Sequence, residues 1–291
     1  MGQGPPRAKL GADPVNDETS HYLLGHTDRE LRRLDLQGEL YREITLRAFQ
    51  DAGIGPGMRV LDIGCGSGDV SITVGGLVGP SGSVLGIDRG GTAIQDATEK
   101  AARAGVTHVR FEQYEIDAFQ ATEPFDAVVG RFILMHQPDP SAALRAAAAN
   151  VRAGGIVVMI ESHMELLSTG GHSAPHSPLY EIIIDYKSRV VLGAGANLQA
   201  GGSLRRTFLE AGLPEPVCRL EARVEGGRDS IYYEYVEQSV LSMLPEARRT
   251  GIDTFDEASA KGLGDRLMDE VVELGASLVA WPVVCARARL P

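Results

Sequence analysis

The chain has 291 residues, 43% hydrophobic and 23% charged, an ordinary globular composition with room for one large α/β domain or two small ones. Its formal net charge is −11 with no block of consecutive basic residues, which disfavours a nucleic-acid partner because phosphate binding needs a concentrated positive face. Cys65, Cys218 and Cys285 are far apart and form no C-x-x-C pair, so neither a disulfide framework nor a zinc site is expected. The apolar runs fall short of a membrane span, and the Met-Gly-Gln-Gly-Pro-Pro start lacks a charged segment followed by an apolar core. The default location is cytoplasmic.

Residues 1–18, rich in Gly, Pro, Asp and Asn, are expected to be poorly ordered. After His21-Tyr22-Leu23-Leu24-Gly25-His26, Thr27 with Glu30 gives a capping-box signature. Leu31, Leu34, Leu40, Tyr41, Ile44 and Phe49 then make a helical apolar stripe, ended by Gly53-Ile54-Gly55-Pro56-Gly57. Arg59–Asp62 reads as a buried strand, Gly64, Gly66 and Gly68 as a turn, and Asp69–Val78 as a helix. Such a turn aims unpaired backbone N–H groups past the strand's carboxyl end, and glycine removes the Cβ that would block a close approach. A dinucleotide fingerprint would need glycine where Asp69 stands, and a P-loop would need a lysine that is missing here. Asp62, beside the turn, suits a ligand that presents a cation or hydroxyls and repels a pyrophosphate.

Gly82–Asp88 reads as the second strand, ending in an acid 20 residues after Gly68. An acid there can accept both hydroxyl protons of a ribose; it could equally cap the next helix, a role also open to Thr92. Ile94–Ala104 is a helix and Val109–Tyr114 a third strand, followed by Glu115, Ile116 and Asp117. Phe125–Gly130 is a fourth strand, and Arg131–Pro140 the loop at its carboxyl end, where open α/β sheets place their chemistry. His136 in that loop is either a proton acceptor or a structural hydrogen-bonding group. Ser141–Val151 reads as a helix capped by Ser141. Ala153-Gly154-Gly155 leads into a fifth strand, Ile156–Ile160, followed by Glu161-Ser162-His163.

Past residue 163 the pattern is looser. Gly170, Gly171, Pro175 and Pro178 mark an irregular loop. Leu179–Leu192, with Tyr180, Ile183, Ile184, Tyr186 and Val190, is an inserted helix whose apolar face could be core or pocket. Further helices are expected at Leu204–Gly212, Ser230–Leu244 and Asp256–Leu274, and a sixth strand at Val217–Val224. Ser277–Arg287 reads as a seventh, antiparallel strand, with Pro282 marking an edge or bulge.

The D-x-G-x-G-x-G turn, Asp88, the Phe125-Asp126 pair and the Gly-Gly strand stand in order and at normal spacing over about residues 40–163. They resemble motifs of the class I S-adenosylmethionine-dependent methyltransferases, of the small-molecule type found in ubiquinone, menaquinone and natural-product biosynthesis. The resemblance implies a doubly wound, Rossmann-like α/β fold: a seven-stranded mixed sheet, six strands parallel and one antiparallel, with an inserted helical lid. It divides the chain into lid helices at 19–57, a cofactor-binding core at 58–163, an acceptor lid at 164–200 and the rest of the core at 201–291. S-adenosylmethionine would be held by Tyr22, Asp62, Gly64, Cys65, Gly66, Gly68, Asp88, Arg89 and Arg131. Glu115 would take the adenine amino group, with Asp117 its competitor, and the backbone of Ile116 a ring nitrogen. His136 as base with Glu161 as its partner makes O-methylation of a small-molecule acceptor the preferred activity. His163, Tyr180, Tyr186 and Arg189 are candidate acceptor contacts, and a homodimer is possible. N- or C-methylation by proximity alone, a non-catalytic cofactor-binding protein and an NAD-dependent oxidoreductase are the rivals.

Overall fold

The computed structural model describes residues 28–168 and 170–291. Residues 1–18, Tyr22 and the Thr27 cap lie outside the described residues. Helix α1 (Asp28–Ala52) turns Leu36, Leu40, Tyr41, Ile44 and Phe49 inward and ends before Gly53, whose φ of 89° only glycine adopts freely. It passes close over the start of α2: a Cβ on Gly38 would stand 2.5 Å from Oδ1 of Asp69.

The core then alternates strand and helix: β1 (Arg59–Ile63), α2 (Asp69–Val78), β2 (Ser83–Asp88), α3 (Gly91–Ala104), β3 (Val109–Gln113), β4 (Phe125–Arg131), α4 (Pro140–Ala148) and β5 (Val151–Ser162). A single 3₁₀ turn, Leu134–His136, lies between β4 and α4. Apolar residues fill β1 and β4 on both faces, as a central parallel strand requires. The cap of α4 is Asp139 and not Ser141: the Asp139 carboxylate accepts from the Ala142 N–H at 2.9 Å, and Pro140 occupies the first helical position, where no donor is needed. Ser141 instead donates to Glu210. β5 starts at Val151, earlier than the apolar run suggests, because the strand continues through Gly154 and Gly155.

The second half adds α5 (Glu165–Ser168), β6 (Ser173–Ala174), α6 (Pro178–Gly193), α7 (Ala200–Glu210), β7 (Val217–Glu221), β8 (Val224–Glu225), α8 (Tyr232–Arg249), α9 (Glu257–Ala260), α10 (Leu263–Leu274), β9 (Ser277–Val279) and β10 (Val283–Arg289). Three expected elements are divided. The Asp256–Leu274 helix breaks at Gly262, which has a φ of 67°. The strand expected at Val217–Val224 stops at Glu221. The last strand splits around Ala280-Trp281-Pro282, because proline supplies no N–H to a ladder. Its first piece, β9, joins β6 and β8 in a small separate sheet, while β10 enters the main one.

The main sheet has the order β3-β2-β1-β4-β5-β10-β7. β10 runs antiparallel to both β5 and β7, and the remaining pairs are parallel. This is the doubly wound sheet of six parallel strands and one antiparallel strand. The order reverses between β1 and β4, so the crevice outside their carboxyl ends opens beside Ile63 and Gly130, which pair in register. Buried side chains form one cluster on each face of the sheet. None of the described helices is long and apolar enough to cross a membrane.

The capping assignment is directly testable. Asp139→Ala should lower stability by about 1 kcal/mol in thermal or denaturant unfolding, whereas Ser141→Ala should have a much smaller effect. Equal losses would return the cap to Ser141.

Candidate active site

Between β1 and α2 the chain makes its glycine turn with φ values of 63° at Gly64, 51° at Gly66 and 84° at Gly68. The three glycines do different things. A Cβ on Gly64 would meet Ile133 at 2.4 Å, so this glycine lets the loop after β4 close against the turn. A Cβ on Gly68 would meet Phe111 and Ala97 at 2.8 and 2.9 Å. Gly68 is therefore a packing position between α2, α3 and β3, a correction to its reading as a ligand contact. A Cβ on Gly66 would meet no protein atom within 4 Å, and Gly66 lies on the wall of a cavity above the strand ends. Here glycine leaves room for a ligand.

Asp88 ends β2 on the same wall. One of its oxygens accepts from the Gly66 N–H at 3.1 Å and the other from the Gly90 N–H at 2.8 Å, which fixes the carboxylate and leaves further lone pairs open. Cys65, Arg89, Glu115, Ile116 and Arg131 also line the cavity, and Asp117 does not. Burial, with Asp62 and Asp88 nearby, pushes the Cys65 thiol well up, so it is an inert wall group. Asp62 lies beneath the turn rather than on the wall. It is 1% exposed; one oxygen accepts from the Ser71 hydroxyl at 2.6 Å and the other has no hydrogen-bond partner. Burial pushes this carboxyl up to about 7, against the Ser71 hydrogen bond and the charge of Arg131.

The loop after β4 is the most constrained backbone of the site. Phe132 has a φ of 57°, a left-handed conformation rare for a bulky residue. Its ring meets Tyr41 of α1 edge-on at 5.3 Å. Arg131 is anchored by Asp69 and, at 3.0 Å, by the Thr45 hydroxyl, which ties the loop to α1 and α2. Glu161, fully buried at the end of β5, accepts from the backbone N–H groups of Ile133, Leu134 and Met135 at 2.9, 2.7 and 3.3 Å. Burial pushes its carboxyl up to about 7, while the same three N–H groups pull it down. Glu161 is thus a positioning residue for the loop, a correction to its reading as the proton partner of His136. His136, which follows Met135, lines the cavity. Burial, then the charges of Arg33 and Arg89, bring its imidazole down to about 4, so it is neutral at physiological pH.

The candidate acceptor contacts fall elsewhere. Tyr180 is buried and its hydroxyl bonds Tyr232 and the Val279 carbonyl at 2.5 and 2.8 Å. Tyr186 is buried edge-on against Phe255. Arg189 is exposed and pairs with Asp185 at 3.7 Å. His163 accepts from the Gly202 N–H at 2.9 Å and packs on α7. None of the four lines the cavity: apart from Val191, the apolar face of α6 is core. The wall opposite the glycine turn comes instead from Arg33, Gln37 and Tyr41 of α1, Tyr235, Ser239 and Met243 of α8, Val191 and Trp281. The available sequence signal was polar groups in register with an apolar stripe: Arg33 with Gln37, and Tyr235 with Ser239, each four residues apart.

A glycine turn at the reversal point of a doubly wound sheet, with a fixed acid at the end of the second strand, defines an α/β protein for an adenosine-type cofactor. Residues 54–188 match the family model of a methyltransferase domain. The chain is 32% identical over 160 residues to the ubiquinone biosynthesis O-methyltransferase of Albidiferax ferrireducens, covering 53% of this chain and 60% of that one. It is 30% identical over 161 residues to the demethylmenaquinone methyltransferase of Staphylococcus aureus, covering 54% of this chain and 66% of that one. It therefore spans less than two thirds of either curated relative. The YcgJ protein of Bacillus subtilis shares the fold, with 15% identity, a TM-score of 0.56, and coverage of 85% of this chain and 98% of its own. Residues 54–188 form a methyltransferase domain, and the chain is similar to S-adenosylmethionine-dependent methyltransferases of class I. Its site fits that cofactor: Gly66 leaves open space and Asp88 offers free lone pairs to hydroxyls, while beneath the turn Asp62 keeps one buried oxygen without a partner.

Two variants separate the glycine roles. Gly66→Ala should weaken S-adenosylhomocysteine binding by about tenfold or more in calorimetry while the protein stays folded. Gly68→Ala should chiefly lower the unfolding temperature. At pH 8, Glu161→Gln should cost about 1–3 kcal/mol of stability, because an amide NH₂ would face a backbone donor; an unchanged unfolding curve would remove its anchoring role.

Proposed function

We propose that this protein methylates a hydroxyl group on a small organic acceptor, using S-adenosylmethionine, with His136 as general base. The observation that supports this reading is a neutral, buried imidazole on one cavity wall with the glycine turn and the α1–α8 aromatic residues. The two curated relatives, named for quinone-pathway methyl transfer, support a small-molecule acceptor. The net charge of −11 weighs against a nucleic acid.

When bound, the cofactor supplies an electrophilic methyl group on a sulfonium sulfur. On this reading Asp88 accepts from its ribose hydroxyls, Glu115 from its adenine amino group, and the Ile116 N–H donates to a ring nitrogen. Arg131, clamped by Asp69 and Thr45, presents its main chain near the methionine part. His136 takes the proton of the acceptor hydroxyl at its ring nitrogen, and Glu161 keeps the loop in the conformation that aims the ring. The walls from α1 and α8 exclude water and hold the acceptor in line, the source of most of the rate. A second reading, transfer to nitrogen or carbon by alignment alone, is favoured by the low basicity of His136, which suits it less well to strong-base work.

The first experiment is calorimetric titration with S-adenosylhomocysteine, with NAD as control. Micromolar binding of the first alone, lost in Asp88→Ala, is the expected result; binding of neither would sink the proposal. With an acceptor in hand, His136→Ala should retain cofactor affinity and lower kcat by about 10²-fold or more. Because only the unprotonated imidazole accepts a proton, the His136-dependent limb of kcat should lie near pH 4, with no loss on descending through pH 6.5. Unchanged turnover in His136→Ala would favour transfer by alignment.

A further inference from the structure

Lys187 is one of four lysines in the chain and is 1% exposed on the inner side of α6. Its Nζ stands 4.2 Å from the centroid of the Trp281 ring and 5.0 Å from that of Tyr235. It makes no hydrogen bond or ion pair with any described residue. Both rings line the cavity and Lys187 does not, so the ammonium meets the wall residues from within the protein.

Among the described residues none supplies Lys187 with a counter-charge. The charge felt most strongly by Lys187 is another cation, Arg33, whose guanidinium is held by the Glu30 carboxylate at 2.6 and 2.8 Å. Beside these rings the Tyr41 hydroxyl donates to the Trp281 carbonyl and the Ser239 hydroxyl to the Tyr235 carbonyl, and the Glu30–Arg33 pair is the charged neighbour of Tyr235. Burial, then Arg33, bring the ammonium down to about 7, the mark of a cation lacking an anion. Aromatic faces offset part of the desolvation of a buried ammonium, and a carboxylate would offset far more.

We propose that the missing anion is the methyl acceptor: Lys187 and the aromatic wall in front of it select small aromatic acids over their neutral counterparts. This rests on the methyltransferase reading of the cavity. Trp281, Tyr235 and Tyr41 offer ring faces and edges to an aromatic body, and Lys187 acts on its negative charge across the thickness of one ring. In a water-poor site a charge at that separation still discriminates strongly. Lys187 is thus a specificity residue that acts through its field; it does not touch the methyl group.

The test uses two isosteres, 2-naphthoate and 2-naphthamide, titrated calorimetrically into the protein already saturated with S-adenosylhomocysteine. The wild type should bind the acid about tenfold or more tightly than the amide. Lys187→Met should bring the two affinities together while leaving that of the amide unchanged, and Lys187→Arg should keep the preference. Methionine fits a buried aliphatic position and removes an unpaired charge, so this variant should fold; Lys187→Gln provides a second neutral replacement. Equal binding of acid and amide by the wild type, a preference that survives in Lys187→Met and Lys187→Gln, or no binding of the acid at millimolar concentration would each overturn the proposal. The initial saturation step reports separately on the cofactor: failure there overturns the methyltransferase reading, whereas cofactor binding without acid selectivity overturns only this inference.

Discussion

A carboxylate shut away from water governs the site. Glu161 ends β5 in the centre of the sheet, and three consecutive backbone N–H groups converge on its oxygens. Burying an isolated charge costs several kcal/mol, and charge-assisted hydrogen bonds to backbone donors are the means of offsetting it. The arrangement forces the chain leaving β4 to turn at once, and Phe132 accepts a left-handed backbone to do so. That turn brings Ile133 against Gly64 and His136 to the cavity wall. Cofactor side and reacting side are thus linked through one acid, and neither could shift without exposing unsatisfied donors.

The two sides of the cavity differ electrically. Around the glycine turn stand Asp62 and Asp88, which suit hydroxyls and a sulfonium. Around α1 and the aromatic wall stand Arg33, paired with Glu30, and Lys187, with His136 held neutral by burial and then by the charges of Arg33 and Arg89. Under the proposed function, a site that joins a cationic methyl donor to an electron-rich acceptor would gain from this polarity, since each reactant would meet the opposite sign where it binds.

Much of the core was legible in the sequence because it rests on local rules. The glycine turn, the acids at strand ends and the β-branched central strands each have a steric or electrostatic cause within a few residues. The number of strands and the single antiparallel strand followed from the family resemblance these motifs carry. The acceptor wall was less legible because a helix face beside a cavity has the same periodicity as one in the core. Tyr180 and Tyr186 sit on such a face and proved to be core; Tyr235 sits on another and proved to be wall. Glu161 stood out as an acid in a telling place, yet its partners are main-chain groups, which no side-chain pattern encodes. Asp139 displaced Ser141 as a cap because Pro140 shifts the helix start by a residue or two, within the usual uncertainty of helix ends.

The break at Ala280-Trp281-Pro282 bears on how the molecule is made. β10 lies between β5 and β7, so β7 has no partner in the main sheet until residues near 287 have left the ribosome. The glycine turn and its strands are synthesised some two hundred residues earlier and can associate among themselves. Trp281 arrives just ahead of β10. During synthesis, therefore, the cofactor half can take shape while the acceptor half still lacks its aromatic wall and the exposed edge of β5 awaits its partner. The interval before that last strand docks is when the chain is most open to mispairing, and when a chaperone that shields a sheet edge would serve it best.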